Sequence, residues 1–164
     1  WTVKADPDCV FFPDRLKQHL RQLFPGGTND KFYIKNCPNS LGLQGSLEVF
    51  SHSAVEAYGQ RQESCRKNCN PKGSGEDGFM KACMDHLGIE AKDDFGVLVD
   101  NWCSHGSCGG SHWGAAFHPY KDVGSWFWCW DQAKGQHPPQ QQQQQQQQPW
   151  QQQQQQQQPW QQQQ

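Results

Sequence analysis

The sequence has no apolar run near the ~18–20 residues that a membrane-spanning helix needs, so no span is expected. It has no excess of basic charge either. The 14 Lys and Arg face 16 Asp and Glu, a formal net charge of −2, which leaves no net positive field to hold a nucleic-acid backbone. Charge of both signs runs out before the end, with Lys134 the last base and Asp131 the last acid. No N-x-S/T acceptor, no G-x-S-x-G elbow and no H-E-x-x-H pair occurs, so the commonest serine-hydrolase and zinc-protease signatures are missing. No cofactor motif is found, and no cofactor or bound metal is expected. The chain opens at Trp1 without a signal-peptide pattern, from which a processed, mature form is expected.

What is abundant is cysteine and, at one end, glutamine. Cys9, Cys37, Cys65, Cys69, Cys83, Cys103, Cys108 and Cys129 all lie ahead of the tail. An even count spread through a small body reads as four disulfides and an oxidising, extracellular compartment. The spacings C-x3-C (Cys65, Cys69) and C-x4-C (Cys103, Cys108) are not zinc knuckles. Cys65 and Cys69 share a helix face, which suits two separate tethers. Cys103 and Cys108 flank a short loop and either close on each other or diverge. From Gln140 to Gln164 only Pro149, Trp150, Pro159 and Trp160 interrupt glutamine. The chain therefore divides into a cysteine-rich globular domain, 1–137, and a Gln-rich low-complexity tail, 138–164, which has no apolar face to bury and is expected to be disordered.

Within the body, residues 13–24 carry Leu16, Leu20, Leu23 and Phe24 on one stripe, with Pro13 at the start and Pro25-Gly26-Gly27 as the stop, which predicts a helix. Phe32, Tyr33 and Ile34 mark a strand, and 46–51 a second. Ser51 or Ser53 caps a helix running to about Cys69. A shorter helix spans about 76–87, stopped by Gly88. Residues 95–99, 112–118 and 125–130 read as three further strands. The order of elements predicts an α+β fold, disulfide-stapled, with about three helices and a mainly antiparallel sheet. The segment Phe79–His86 resembles the disulfide-tethered helix of secreted phospholipase A2 in placing Cys83 and His86 three apart. That family carries Asp directly after the His, where Leu87 stands here, so none of its catalytic roles is carried over.

The C-terminal third of the body concentrates the chemistry. As a strand, Ser125–Trp130 would put Trp126, Trp128 and Trp130 on one face. With Trp113 and Tyr120 they form a candidate platform for stacking a sugar ring or burying a protein partner's side chains; the plainer alternative is that they are core. His105, His112 and His118, with Asp100 upstream, are the candidates for acid–base or metal chemistry. On an extended 112–118, His112 and His118 would lie about 20 Å apart, too far for one metal unless the chain bends at Gly114.

In composition the chain resembles small secreted cysteine-rich effectors and toxins. The favoured expectation is non-enzymatic binding of an extracellular glycan or protein. One alternative is a secreted hydrolase using the His/Asp group. Another is an adhesive or transglutaminase-crosslinked matrix protein acting, and self-associating, through the tail.

Overall fold

The computed structural model describes residues 1–40, 42–69 and 75–135. The glutamine-rich segment, and with it every expectation about the tail, lies outside the described residues. The body is α+β, and its described residues form eleven elements in the order β1 (Thr2–Ala5), β2 (Val10–Phe11), α1 (Pro13–Leu23), β3 (Phe32–Lys35), β4 (Leu47–Phe50), α2 (His52–Asn68), α3 (Glu76–His86), β5 (Glu90–Asp93), β6 (Leu98–Asp100), β7 (Ala116–His118) and α4 (Val123–Lys134). None of these helices is long and apolar enough to cross a membrane.

The first three helices carry local start or stop signals, and α2 a side-chain cap. Pro13 opens α1, and Gly27, with φ +73°, follows its end. The Ser51 hydroxyl accepts the Ala54 N–H at 3.2 Å to cap α2. Glu76 and Asp77 sit in the first turn of α3, where negative charge meets the helix dipole.

The strands make two sheets. One has the order β1-β4-β3-β5 and the other β2-β7-β6. Pairs β1·β4, β3·β4 and β2·β7 are antiparallel, whereas β3·β5 and β6·β7 are parallel, so the sheets are mixed. Two polar edge strands, β1 and β5, escape a search for apolar alternation, because an exposed edge has little apolar surface to reveal it. Two-residue β2 is too short to show a pattern. The strand expected at 95–99 starts later, at Leu98, since Asp94 to Gly96 is a turn in which the Asp94 carboxylate accepts the Gly96 N–H at 3.3 Å. Only Ala116–His118 of the expected 112–118 strand is extended, after a turn around Gly114.

Alternation along β3 and β4 feeds two different cores. Ile34, Leu47 and Val49 pack with Leu16 and Leu20 of α1 and with Val97, Leu98 and Ala116. Tyr33 and Phe50 face α2 and α3, packing with Ala54, Cys65, Cys83 and Met84. A third core lies between α4 and the smaller sheet, built from Val10, Phe117, Cys108, Cys129 and Ala133.

Three disulfides staple these layers: Cys37–Cys103, Cys65–Cys83 and Cys108–Cys129, closing 66, 18 and 21 residues. On a chain-entropy view each restricts the unfolded chain by about 3–4.5 kcal/mol. Cys103 and Cys108 diverge to separate partners, and Cys65 alone of its helix pair is bridged. The expectation of four bridges is corrected here, because Cys9 and Cys69 are free and buried. They belong to different cores, Cys9 beside α1 and Cys69 between α2 and α3, and so do not meet. Burial pushes the Cys9 thiol up to about 12, which makes it a packing group more than a nucleophile.

One polar residue stands out inside. Glu48, on β4, is only 3% exposed. Its carboxyl is pushed up to about 7, chiefly by burial; Lys4 opposes this, while Glu76 and Asp77 add to it.

Two measurements check this description. Reduction should raise the intact mass of the body by about six hydrogens rather than eight, one pair per bridge. Alkylation without reductant should label Cys9 and Cys69 in denaturant and neither in the native state; no labelling in denaturant would reveal a fourth bridge. The second concerns Glu48. Its folded pKa lies above the usual 4.5, so its protonated form stabilises the fold fully below about 4.5, and that contribution is lost as pH rises through about 7. Glu48→Gln should therefore change urea stability little at pH 4 and raise it by about 3 kcal/mol at pH 8. An unchanged pH profile would contradict the buried placement.

Candidate functional site

The segment expected to be a strand at 125–130 is the core of helix α4. The Asp122 side chain accepts the Ser125 N–H at 2.9 Å and caps it, and Cys129 anchors its middle through the bridge to Cys108. Buried Arg15 of α1 reaches across to its far end, donating to the Ala133 carbonyl, one of the carbonyls a helix C-terminus leaves unpaired, and to the Gly114 carbonyl at 2.9 Å. Aromatic residues favour strands only in a suitable half-buried setting. Here the capping, the bridge and the arginine clamp all favour a helix.

That change of period redistributes the tryptophans. Trp126 and Trp130, four apart, stack on each other at 5.7 Å with planes 10° apart. Trp130 continues the stack onto Phe12 at 4.5 Å, and the Arg15 guanidinium caps the far side of Phe12 at 4.7 Å. Trp130, half-buried, thus packs against the third core. Trp128 turns about 200° away from Trp126 and stands 57% exposed. Trp113 is elsewhere, packed 4.5 Å from the His19 ring. The single platform of Trp126, Trp128 and Trp130 does not exist.

A groove of about 360 Å³ remains where α4 meets the N-terminal arm, lined by Pro7, Asp8, Tyr120, Lys121, Asp122, Val123, Trp126 and Phe127. Tyr120 is held there by its N–H, which donates to the Asp8 carbonyl at 2.8 Å, and by its hydroxyl, 2.8 Å from the bridged Cys108 sulfur. Burial raises the Tyr120 pKa. Its hydroxyl is therefore turned inward and its ring is what it offers the groove. Trp126 is fixed by its indole N–H, which donates to the Cys9 carbonyl at 3.3 Å. Phe127, 57% exposed, also lines the groove.

Beside the groove lies a histidine–carboxylate pair. His118, on β7 directly before a cis peptide to Pro119, faces Asp100 on the parallel neighbour β6, its register partner. Its Nδ1 is 2.6 Å from Asp100, a buried carboxylate that also accepts the Trp102 N–H at 2.7 Å. Its Nε2 faces Asp8, also a groove residue, at 3.5 Å. Asp100 thus orients one imidazole nitrogen, and the other faces the partly exposed carboxylate of Asp8. Asp6, Asp8 and His118 each offer one atom within 4.8 Å of the others, an oxygen-rich set that suits a divalent cation, although Lys4 already pairs with Asp6 at 2.8 Å.

His105 and His112 are exposed and take no part. Asp6 and Asp8, eleven decades of residue numbers away in sequence terms from His118, gave no signal of this proximity. His19 was equally hidden on the apolar stripe of α1. Its two nitrogens meet Asp94 at 2.7 Å and the Trp113 carbonyl at 2.8 Å, which uses its hydrogen-bonding capacity inside the fold.

The stack predicts unequal tryptophans. Trp130→Ala should cost about 3–5 kcal/mol in chemical denaturation, and Trp128→Ala no more than about 0.5 kcal/mol. Equal losses would restore the strand-like face. Comparison of the chain with protein-family models, with curated proteins and with solved structures finds no match in any of the three.

Proposed function

We propose that the protein is a secreted, effector- or toxin-like binding protein that recognises an extracellular glycan in the groove between α4 and the N-terminal arm. The observation that carries this reading is the composition of the groove: the rings of Tyr120, Trp126 and Phe127 beside the carboxylates of Asp8 and Asp122. Sugar rings present apolar C–H faces to aromatic planes and hydroxyls to carboxylates, so both halves of that chemistry are at hand. The volume falls at the lower end of the ~300–1,000 Å³ typical of small-molecule sites, which suits the end of a glycan. The three bridges are compatible with an oxidising, extracellular setting.

A second reading, a hydrolase, is favoured by one specific observation, the Asp100–His118 pair opening toward Asp8 of the same groove. In that case His118 is the general base, Asp100 orients it, and the bound glycan is also the substrate.

Glycan-array binding followed by calorimetry on variants tests both. Phe127→Ala should lower affinity at least about tenfold, since an exposed aromatic anchor commonly contributes more than ~1.4 kcal/mol. Trp128→Ala, outside the groove, should leave it unchanged. Retained binding in Phe127→Ala, or binding only to a protein, sinks the glycan reading. Release of reducing sugar that disappears in His118→Ala and Asp100→Asn but persists in His105→Ala and His112→Ala would make the protein a hydrolase.

A further inference from the structure

A second cavity, of about 230 Å³, lies between the larger sheet and the α2–α3 pair and shares no lining residue with the groove. Most of its wall is apolar: Phe50 from β4, Ala54, Val55 and Tyr58 from α2, and Met80 and Met84 from α3. The polar residues of the wall are Thr2 and Lys4 of β1 and Glu48, which alternates with Leu47 and Val49 along β4 and therefore faces the helices. Its Oε1 is buried and has no hydrogen-bond partner, which is costly for a carboxyl group.

Lys4, its cross-strand partner, does not supply that bond. An ammonium has three N–H groups, and those of Lys4 go to Asp6, to Glu76 and to the Gly45 carbonyl, leaving Nζ 3.9 Å from Glu48. Charge is unbalanced in the same direction. Lys4 is the one base facing Glu48, whereas Asp6 beyond β1 and Glu76 and Asp77 on α3 add acid, and α2 contributes only Tyr58.

We propose that this cavity is a binding site for a small apolar amine, whose ammonium group pairs with Glu48 while its hydrocarbon tail packs among Val55, Tyr58, Met80 and Met84. A cation answers both the missing hydrogen bond and the excess of negative charge. An alcohol answers only the first, and a carboxylate neither. The flexible thioethers of the two methionines accommodate tails of differing shape. A metal ion is poorly served, since one carboxylate among mostly apolar walls offers too few oxygens. Among the described residues the set able to hold a metal, Asp6, Asp8 and His118, lies outside this cavity.

The chain has two methionines and both line the cavity, so methyl spectra of the full chain report directly on it. Titration with n-hexylammonium at pH 8 should shift both methionine methyl signals saturably. n-Hexanol and hexanoate should each bind at least about tenfold more weakly, the ~1.4 kcal/mol lost with one charged contact. With the Glu48 carboxyl near 7, affinity for hexylammonium should rise about tenfold from pH 6 to pH 8. Glu48→Gln should lower it at least about tenfold, and Val55→Phe, which fills the cavity from the half-buried side of α2, should abolish it. The proposal fails if hexylammonium produces no saturable shift in the wild type, if hexanol or hexanoate binds as tightly, if affinity is flat between pH 6 and 8, or if folded Glu48→Gln binds as the wild type does.

Discussion

The structure depends on one constraint, the burial of strands β3 and β4 on both faces. All four residues of β4 are buried, so successive side chains must satisfy two different environments. Leu47 and Val49 meet α1 and the smaller sheet, while Phe50 meets the α2–α3 pair. A strand covered on one side needs a single partner layer; one covered on both sides needs two, and the disulfides follow that requirement. Cys65–Cys83 holds the helix pair together over one face, and Cys37–Cys103 joins the loop after β3 to the turn after β6 on the other side. The same burial turns Glu48 from an ordinary strand residue into a desolvated carboxyl beside a cavity.

The smaller sheet does comparable work for the groove. β7 carries Phe117 into the third core and His118 to the edge beside Asp100. α4 is clamped onto this sheet by a bridge at its middle and by Arg15 at its end. The stack from Trp126 through Trp130 and Phe12 to Arg15 spans helix, loop and helix. Because Trp126 is both the outermost ring of that stack and a wall of the groove, the groove is backed by rigid packing, and its geometry is inherited from the core.

Much of the fold was legible along the chain. The stripe Leu16, Leu20, Leu23 marked α1, Ser51 marked the start of α2, and Gly88, with φ +68°, marked the stop after α3. These signals are local, since a helix stripe and a cap involve residues within one or two turns. The edge strands β1 and β5 were not legible, because their pairing energy lies in backbone bonds to β4 and β3 and not in an apolar pattern. The α4 segment was misread for a related reason. Ser-Trp-Phe-Trp-Cys-Trp alternates by chance of composition, and the groups that make it helical, Asp122 aside, are distant: Cys108 and Arg15.

Of the candidate site residues, Tyr120 and Trp126 reach the groove and Asp100 and His118 reach each other, whereas Trp113, Trp128, Trp130, His105 and His112 go elsewhere. The sequence by itself determined the α+β class, the first three helices and a body held by disulfides, because periodicity, caps and cysteine content act locally or by count. Only the tertiary structure decided which cysteines pair, which tryptophans face inward, and that Asp6 and Asp8 stand beside His118. Those outcomes depend on contacts between residues far apart in the chain, and such contacts leave no mark on the order of residues around them.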